Sequence, residues 1–312
     1  MGLIKKPYEL KVKKTLSVLI YGQPGIGKTT LALSAPHPLL LDFDGGVHRV
    51  NASHRVDTVQ IERWEDVIEL LKSPEIAAYQ SLVVDTTGKM LTCIEEWIMR
   101  TMDGMKKTDG SLKINGYGVR KNKFIWFLKE VSFMGKTLVF VAHEREEKVG
   151  EEKQIRPEIG GSSTGDLIKE LDLVGYMEAK GTVRSISFNP CEKFYGKNTC
   201  NLSARIDIPT IVDEKGFAFC ENDFMTREII QSYYAFQEKQ TEICGEYEQL
   251  MELIKAKIEV VNDADTANEV AGELAGMQHI FDSKLQAGML LNQRCKELGL
   301  KFNKVTKSYE AA

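Results

Sequence analysis

The feature that most constrains this chain is a glycine-rich turn within residues 18–35, VLIYGQPGIGKTTLALSA. Residues 22–29 fit the pattern G-x-x-x-x-G-K-[ST], which follows an apolar strand-like run and precedes a helix-forming segment. Glycines let the backbone N–H groups of such a turn approach an anion, and the dipole of the following helix favours negative charge. The stretch therefore predicts a phosphate-binding loop (P-loop). The alternative is a glycine-rich turn that arose by chance.

The polar side chains of this turn have separate predicted roles. Lys28 would neutralise the β- and γ-phosphates of a nucleoside triphosphate, and the Thr29 hydroxyl would ligate Mg²⁺. ATP and Mg²⁺ are accordingly the expected cofactors. The residues predicted to hold the nucleotide are Gly22, Gln23, Pro24, Gly25, Ile26, Gly27, Lys28, Thr29 and Thr30.

Strand-like and helix-like segments alternate from this turn to about residue 190. The predicted strands are apolar runs at residues 16–21, 38–44, 81–87 and 136–144. The predicted helices cover residues 64–71, 90–102 and 119–133. The strands are continuously apolar rather than alternating, which is typical of a parallel sheet covered on both faces. The pattern predicts the α/β class with a mainly parallel, doubly wound sheet.

The pattern changes after about residue 180, where shorter alternating strands are followed by a long helical stretch from about residue 226. A helix start is predicted at residues 263–266 and a helix stop at Gly299. We expect three parts: a basic N-terminal segment (1–14), an ATPase core (15–225) and a C-terminal helical domain (226–312).

Composition excludes several other classes of protein. The 312 residues are 43% hydrophobic and 28% charged, with no apolar run of membrane-spanning length and no apolar signal-peptide core. We therefore expect a cytoplasmic protein without a membrane partner. A net charge of −4 indicates that any polyanion site is local. The cysteines are scattered, which predicts free thiols, with a zinc site at Cys191, Cys200 and Cys220 as the alternative.

Three strand ends carry candidate catalytic side chains. Asp85 ends the strand SLVVD and is predicted to bind Mg²⁺ from the side opposite Thr29, unless it is a helix cap. Asp44, in LLLDFDGG, would orient or deprotonate the attacking water, although Asp42 points the same way and could serve instead. His143, at the end of TLVFVAH, could contact the γ-phosphate or be a structural histidine.

The order of these segments resembles the RecA-like ATPases of phages and prophages, which are phage nucleotide-binding or AAA-type proteins that act as small single-strand-annealing recombinases. The resemblance covers about residues 15–210. It is carried by the P-loop and by the segments DFDGG, SLVVDTT, NGYG, VFVAHE and RPEIGGSSTGDLIKELDLVGYM. It implies that Asp44 activates water, that Asp85 is the Walker B acid, and that His143 replaces a γ-phosphate-sensing glutamine.

The resemblance also implies an assembly of identical subunits. Lys197, in FYGKNTCN, resembles a basic residue that such proteins insert into a neighbour's active site, which would require a ring or a filament. The second basic residue of that pattern is replaced by Thr199, and a solvated turn lysine is the alternative.

DNA contact in RecA-like proteins uses the loops that follow the Walker B strand and the sensor strand. The first loop, 103–123, combines basic residues with an aromatic side chain, as single-strand binding requires. The second, 144–165, is acidic in its first half, so residues 160–164 in its glycine-rich tail are the candidates for DNA contact there. Arg156 is a candidate for phosphate or γ-phosphate coupling, and an ordinary solvated charged loop is the alternative for the whole segment. The predicted DNA-binding residues are Lys106, Lys107, Lys113, Tyr117, Arg120, Lys121, Gly160 and Gly161.

Three classes of function remain open at this point. The leading expectation is a DNA-stimulated, Mg²⁺-dependent ATPase that binds single-stranded DNA and promotes annealing or strand pairing in a phage-encoded or prophage-encoded recombination system of a bacterial host. A host single-strand-binding protein is a possible further partner. The second class is an oligomeric P-loop switch or motor that acts on proteins. The third is a small-molecule kinase, which is disfavoured because no arginine-rich lid is evident.

Overall fold

The computed structural model describes residues 4–5, 9–10, 15–149, 152–160 and 164–311. Within these ranges the strands are β1 (Ser17–Gly22), β2 (Pro38–Asp42), β3 (Thr58–Gln60), β4 (Ser81–Asp85), β5 (Thr137–Val149), β6 (Glu152–Pro157), β7 (Leu173–Lys180), β8 (Val183–Ser187), β9 (Ile206–Ile208), β10 (Leu300–Asn303) and β11 (Ser308–Ala311). The α-helices are α1 (Lys28–Ala32), α2 (Trp64–Leu70), α3 (Thr87–Thr101), α4 (Ile114–Phe133), α5 (Thr164–Lys169), α6 (Gln231–Glu259), α7 (Ala264–Gly276) and α8 (Ser283–Glu297).

One mainly parallel sheet organises the first part of the chain. Its order is β3-β2-β4-β5-β1-β7-β8-β9, with β6 paired to the outer half of β5. The six strands from β3 to β7 in this order are parallel, and β8 and β9 are antiparallel. The P-loop follows β1, near the middle of the sheet. The predicted α/β class with a mainly parallel sheet is confirmed.

The central strands are buried on both faces, which explains why their sequences are continuously apolar. Leu19 and Tyr21 of β1 face a core that also contains Trp64 of α2 and residues of α3, α4 and α5. Val18 and Ile20 face the opposite core, which contains residues of α1 and of the helical segment beginning near residue 224. Helices therefore cover both sides, as the doubly wound prediction requires.

The chain divides into two compact units, Lys13–Phe236 and a unit built on Gln237–Ala312, with the boundary inside α6. The second unit has its own apolar core, to which α6, α7 and α8 contribute. The Asp263 carboxylate caps α7 by accepting a 2.8 Å hydrogen bond from the Thr266 N–H, and Gly299 follows α8 with a left-handed φ of 72°. The predicted helix start and stop are thus confirmed, whereas the β10–β11 hairpin was not predicted.

Two segments differ from the sequence prediction. Helix α4 begins at Ile114 instead of near residue 119. Gly116 packs against Leu112 at this end of the helix, where an added Cβ would approach a side-chain carbon to 2.5 Å. The first part of the predicted loop 144–165 is instead an antiparallel ribbon, formed by the second half of β5 and by β6. In the described segments, no helix combines the length and the apolarity needed to cross a bilayer.

Candidate nucleotide-binding site

The P-loop backbone depends on its glycines. A Cβ on Gly22 would lie 2.4 Å from the Met177 carbonyl oxygen in the paired strand β7, so no larger residue fits without a shift of the backbone. Gly27 has a left-handed φ of 99° and occupies the N-cap position of α1. The turn is therefore held close to the sheet, with the start of α1 as one of its walls.

Lys28 is buried within this turn. Its ammonium donates hydrogen bonds to the carbonyl oxygens of Gly22, at 2.9 Å, and of Gln23, at 2.7 Å. Burial lowers the pKa of Lys28, and the nearby carboxylates of Asp85 and Glu144 oppose that shift. The geometry thus places a single cation inside the loop that is predicted to receive phosphates.

The two predicted magnesium ligands contact each other. The Thr29 hydroxyl donates a 2.6 Å hydrogen bond to the Asp85 carboxylate. Burial raises the pKa of Asp85, the carboxylates of Asp42 and Asp44 raise it further, and the hydrogen bond from Thr29 opposes them. Mg²⁺ prefers hard oxygen ligands and usually takes only one or two from the protein, so this pair fits the ion.

The structure distinguishes the two neighbouring aspartates. Asp42 accepts hydrogen bonds from the N–H groups of Asp44, Gly46 and Val47, at 3.0–3.2 Å, and so fixes the turn after β2. Asp44 forms a 2.8 Å ion pair with the partly exposed Arg49. Asp42 is therefore occupied by backbone contacts, and Asp44 is the carboxylate that remains accessible at this edge.

Two neighbouring residues lie where β5 passes from its parallel to its antiparallel part. His143 was predicted as a site residue, and Glu144 was not. His143 pairs in register with Gly22, and its Nδ1 is buried without a hydrogen-bond partner among the described residues. The next residue is Glu144, and burial together with the Glu144 carboxylate raises the pKa of the Tyr176 hydroxyl to about 12. Glu144 also interacts electrostatically with Lys28. In the sequence alone, Glu144 is one of several acidic residues in the first half of the predicted loop 144–165.

A cavity of about 450 Å³ adjoins the P-loop. One wall consists of Ile26, Gly27, Thr30 and Leu31. The other walls come from distant parts of the sequence, namely Asn51, His54, Met177, Arg184, Ile208, Pro209, Ile211, Val212, residues 220–224 and Arg227. Its volume falls within the range of small-molecule sites, about 300–1,000 Å³. None of these outer walls was predicted from the sequence.

The structure corrects the predicted role of Arg120. Its side chain is buried in α4, forms an ion pair with Glu95 of α3, and donates a 3.0 Å hydrogen bond to the Gly160 carbonyl. The guanidinium also lies over the Tyr117 ring, 4.9 Å from its centroid. Arg120 is therefore a structural cation between helices and is not placed to contact DNA.

The other residues predicted to bind DNA fall into three groups. Lys106, Lys107 and Lys113 are exposed on the turn between α3 and α4. Tyr117 and Lys121 lie on α4 itself, and both are partly buried. Gly160 is exposed, whereas Gly161 lies outside the described residues.

Lys197 and Arg156 both have partners within the chain. The Lys197 ammonium donates hydrogen bonds to the carbonyls of Lys169 and Leu171, at the C-terminal end of α5, so the structure favours the structural alternative for this residue. Arg156 of β6 forms a 3.1 Å ion pair with Glu147 of β5. The predicted trans-acting role and phosphate-coupling role would each require these contacts to break.

Fold and site together define a P-loop ATPase domain. A protein-family model described as an AAA domain matches residues 14–200, which is more than half of the chain, and the chain belongs to this family. No curated protein matches the chain. Among solved structures, a KaiC-like protein from the hyperthermophilic archaeon Pyrococcus horikoshii is similar, with 10% identity, a TM-score of 0.34, and coverage of 55% of this chain and 77% of that one.

Proposed function

We propose that this protein binds and hydrolyses ATP with Mg²⁺, binds single-stranded DNA, and promotes annealing or strand pairing in phage-type homologous recombination. The observation that carries the DNA part of the proposal is the exposed turn with Lys106, Lys107 and Lys113, attached at the sheet edge that holds the P-loop. The hydrogen bond between Thr29 and Asp85 supports the ATPase part.

The residues at the sheet edge have complementary roles in ATP hydrolysis. Lys28 would bind the phosphates, and Thr29 with Asp85 would hold Mg²⁺, which supplies charge neutralisation on the phosphate oxygens. Asp44 would orient the attacking water or take its proton. His143, with its buried unpartnered Nδ1, would hydrogen-bond to the terminal phosphate.

Two sets of contacts support the position of the lysine turn. Arg100, near the end of α3, forms a 2.7 Å ion pair with Glu65, the second residue of α2. The Glu158 N–H donates a 2.7 Å hydrogen bond to the His143 carbonyl, and Arg120 of α4 donates to Gly160 two residues later. Both helices that flank the turn are therefore tied to the carboxyl edge of the sheet.

The lysines have the chemistry that a single strand requires. Exposed ammonium groups attract the phosphate backbone and give binding that weakens with salt. Lys106, Lys107 and Lys113 form no ion pair with another of the described residues. By contrast, charges on the β5–β6 ribbon are paired, as in the 2.7 Å contact between Lys153 and Glu146. The turn is thus the better of the two predicted DNA surfaces.

The test is the ATPase rate with and without single-stranded DNA, at low and moderate salt. We expect stimulation in the wild type that weakens with salt and disappears in Lys28→Ala. Replacement of Lys106, Lys107 and Lys113 by glutamine should abolish the stimulation and leave basal hydrolysis intact. The matched control replaces the exposed Lys180, Lys193 and Lys215 by glutamine and should keep the stimulation.

Hydrolysis that depends on Lys28 but ignores DNA, with no retention of DNA at either salt concentration, would refute the recombinase proposal. It would leave an oligomeric P-loop switch that acts on proteins. The proposal includes self-assembly into a ring or filament and an optional single-strand-binding protein as partner. Light scattering with ATP and single-stranded DNA tests the assembly, and a monomer under all conditions would contradict it.

A further inference from the structure

His54 presents an unsatisfied polar atom beside the cavity that adjoins the P-loop. The side chain is 7% exposed, and its Nε2 is buried without a hydrogen-bond partner among the described residues. A buried polar atom left unpaired is destabilising, so the His54 Nε2 calls for a partner. His54 lines this cavity together with Gly27 and Thr30 of the phosphate-binding segment, and it also lines a neighbouring cavity on the side of Arg55 and Phe219.

The turn that carries His54 is held rigidly. His54 ends a short 3₁₀ turn, Ala52–His54, which Asn51 caps by accepting a 3.0 Å hydrogen bond from the Ser53 N–H. The Asn51 amide also donates a 2.6 Å hydrogen bond to the Gly216 carbonyl. Arg55 donates to the carbonyls of Val50 and His48 on the other side of the turn. The imidazole is therefore positioned before any ligand arrives, which lowers the cost of binding.

The opposite wall of the cavity is fixed as well. The Asn222 amide donates a 2.8 Å hydrogen bond to the Thr30 carbonyl, which ties residues 220–224 to the helix that follows the P-loop. Arg227 forms a 2.9 Å ion pair with Asp223 in the same region. A ligand that enters this space must lie next to the segment that receives the phosphates.

We propose that His54 hydrogen-bonds through Nε2 to the edge of the adenine base of bound ATP and so helps to determine which nucleotide this site accepts. The inference rests on the proposed function, because it requires the P-loop to hold the triphosphate. An imidazole nitrogen can donate or accept according to its tautomer, and the adenine edge offers both an amino donor and ring-nitrogen acceptors. The apolar neighbours Ile26, Leu31, Met177 and Ile208 supply contact for the flat base.

The test compares two ligands that share phosphates and differ in the base. Dissociation constants for Mg²⁺–ATP and for Mg²⁺–tripolyphosphate are measured for the wild type and for His54→Phe, which keeps a ring and removes the hydrogen bond. We expect the affinity for ATP to fall about tenfold in the variant, as for one lost buried hydrogen bond, with the affinity for tripolyphosphate unchanged. His54→Gln, which retains a donor and an acceptor, should recover part of the loss.

A matched control is His48→Ala, because His48 is exposed and does not line the cavity. It should leave both affinities unchanged. Equal losses of ATP and tripolyphosphate affinity in His54→Phe would mean that the histidine only supports the fold, and an unchanged ATP affinity would mean that it does not contact the base. Either result overturns the proposal.

A labelling experiment tests occupancy of the cavity without any change to His54. Cys220 lines the cavity and is exposed, and Cys191 is exposed but does not line it. ATP should slow maleimide labelling of Cys220 and not of Cys191, whereas tripolyphosphate should slow neither. Binding of both ligands without protection of Cys220 overturns the inference and leaves the ATP site intact. Failure of the wild type to bind either ligand overturns the proposed ATPase function, and the inference with it.

Discussion

The Thr29 hydroxyl lies 2.6 Å from the Asp85 carboxylate. Helix α1, which follows the P-loop, therefore meets β4, which lies two strands from β1 in the sheet, at one pair of oxygens. The contact joins residues that are far apart in sequence and brings together the ligands expected for Mg²⁺. It also places a carboxylate in a buried position next to the carboxylates of Asp42 and Asp44, and that arrangement has consequences for stability.

We predict that Asp85→Asn abolishes most hydrolysis and stabilises the nucleotide-free protein at neutral pH. Hydrolysis should fall by about 100-fold, because a group that holds or orients the metal is lost. Burial raises the pKa of Asp85 above its unfolded value, so the unfolded chain loses this proton first as pH rises. The carboxyl therefore lowers the free energy of unfolding above a pH of about 4, and the amide does not.

Thermal melts of the wild type and of Asp85→Asn between acidic and neutral pH measure this effect. The difference in melting temperature should grow as pH rises. The exposed Asp103→Asn serves as the control and should show no such trend. An Asp85→Asn protein that melts below the wild type at neutral pH would contradict the prediction.

The close approach of β1 to β7 predicts the outcome of Gly22→Ala. The new Cβ would lie 2.4 Å from the Met177 carbonyl oxygen, and that oxygen belongs to the backbone of a paired strand. We expect a loss of about 1–3 kcal/mol in the free energy of unfolding, measured by urea denaturation. Gly25→Ala is the control, since no atom lies within 4 Å of its added Cβ, and only its left-handed φ of 76° opposes the change. Equal losses in both variants would refute the steric explanation.

Arg120 offers a direct test of a structural role against a DNA-binding role. Arg120→Met should lower the free energy of unfolding by about 3 kcal/mol, because Glu95 loses its buried partner. The folded fraction should bind single-stranded DNA as the wild type does. Lys129→Met on the exposed side of the same helix is the control and should change stability little. Reduced DNA affinity with unchanged stability would reinstate Arg120 as a DNA contact.

The thiols should differ in reactivity according to burial. Burial raises the pKa of Cys93 and of Cys200 to about 11, so little of either is thiolate near neutral pH. We expect Cys191 and Cys220, which are exposed, to react with maleimide first, and Cys93 and Cys200 to react only slowly until the protein is unfolded. Mass spectrometry of peptides after timed labelling measures the order. Early labelling of Cys200 would show that the core of this unit opens more easily than the structure indicates.

Lys197 should prove to stabilise its own subunit. Its ammonium binds two carbonyls at the end of α5, so Lys197→Gln should lower the melting temperature while the ATPase rate of the folded protein stays the same. If the lysine acts in a neighbour's site instead, the variant will lose hydrolysis with no change in stability. Mixing it with Lys28→Ala subunits then decides the case, since activity that returns on mixing requires a residue acting between subunits.

The sequence was most informative where function depends on short contiguous patterns. The P-loop and the strand that ends at Asp85 are both local signals, and the folded sheet brings the Thr29 and Asp85 side chains into contact. Arg120 was misassigned because it was counted as a charge in a loop. Its position four residues before Phe124 puts it on the buried face of α4, and that spacing could have identified it. The charged residues of the second half of β5 and of β6 form an antiparallel ribbon, which was predicted as a loop.

The walls of the cavity could not have been predicted in the same way. His54, Arg184 and Cys220 belong to separate turns and strands, and only the folded chain brings them to the P-loop. A lone histidine in a short turn carries no pattern that marks it as a ligand-binding residue. Glu144 was missed for a related reason, because its electrostatic partner Tyr176 lies on β7, far from Glu144 in the sequence.

The hydrogen bond from Asn222 to Thr30 joins two parts of the molecule that can evolve at different rates. The phosphate-binding turn is one uninterrupted stretch in which the glycines at 22, 25 and 27 are constrained by their positive φ angles. The cavity walls are assembled from scattered residues, each of which can be exchanged singly. A lineage of such proteins could therefore change its preferred nucleotide by substitutions around residues 51–54 and 208–224 while its hydrolytic chemistry stayed the same.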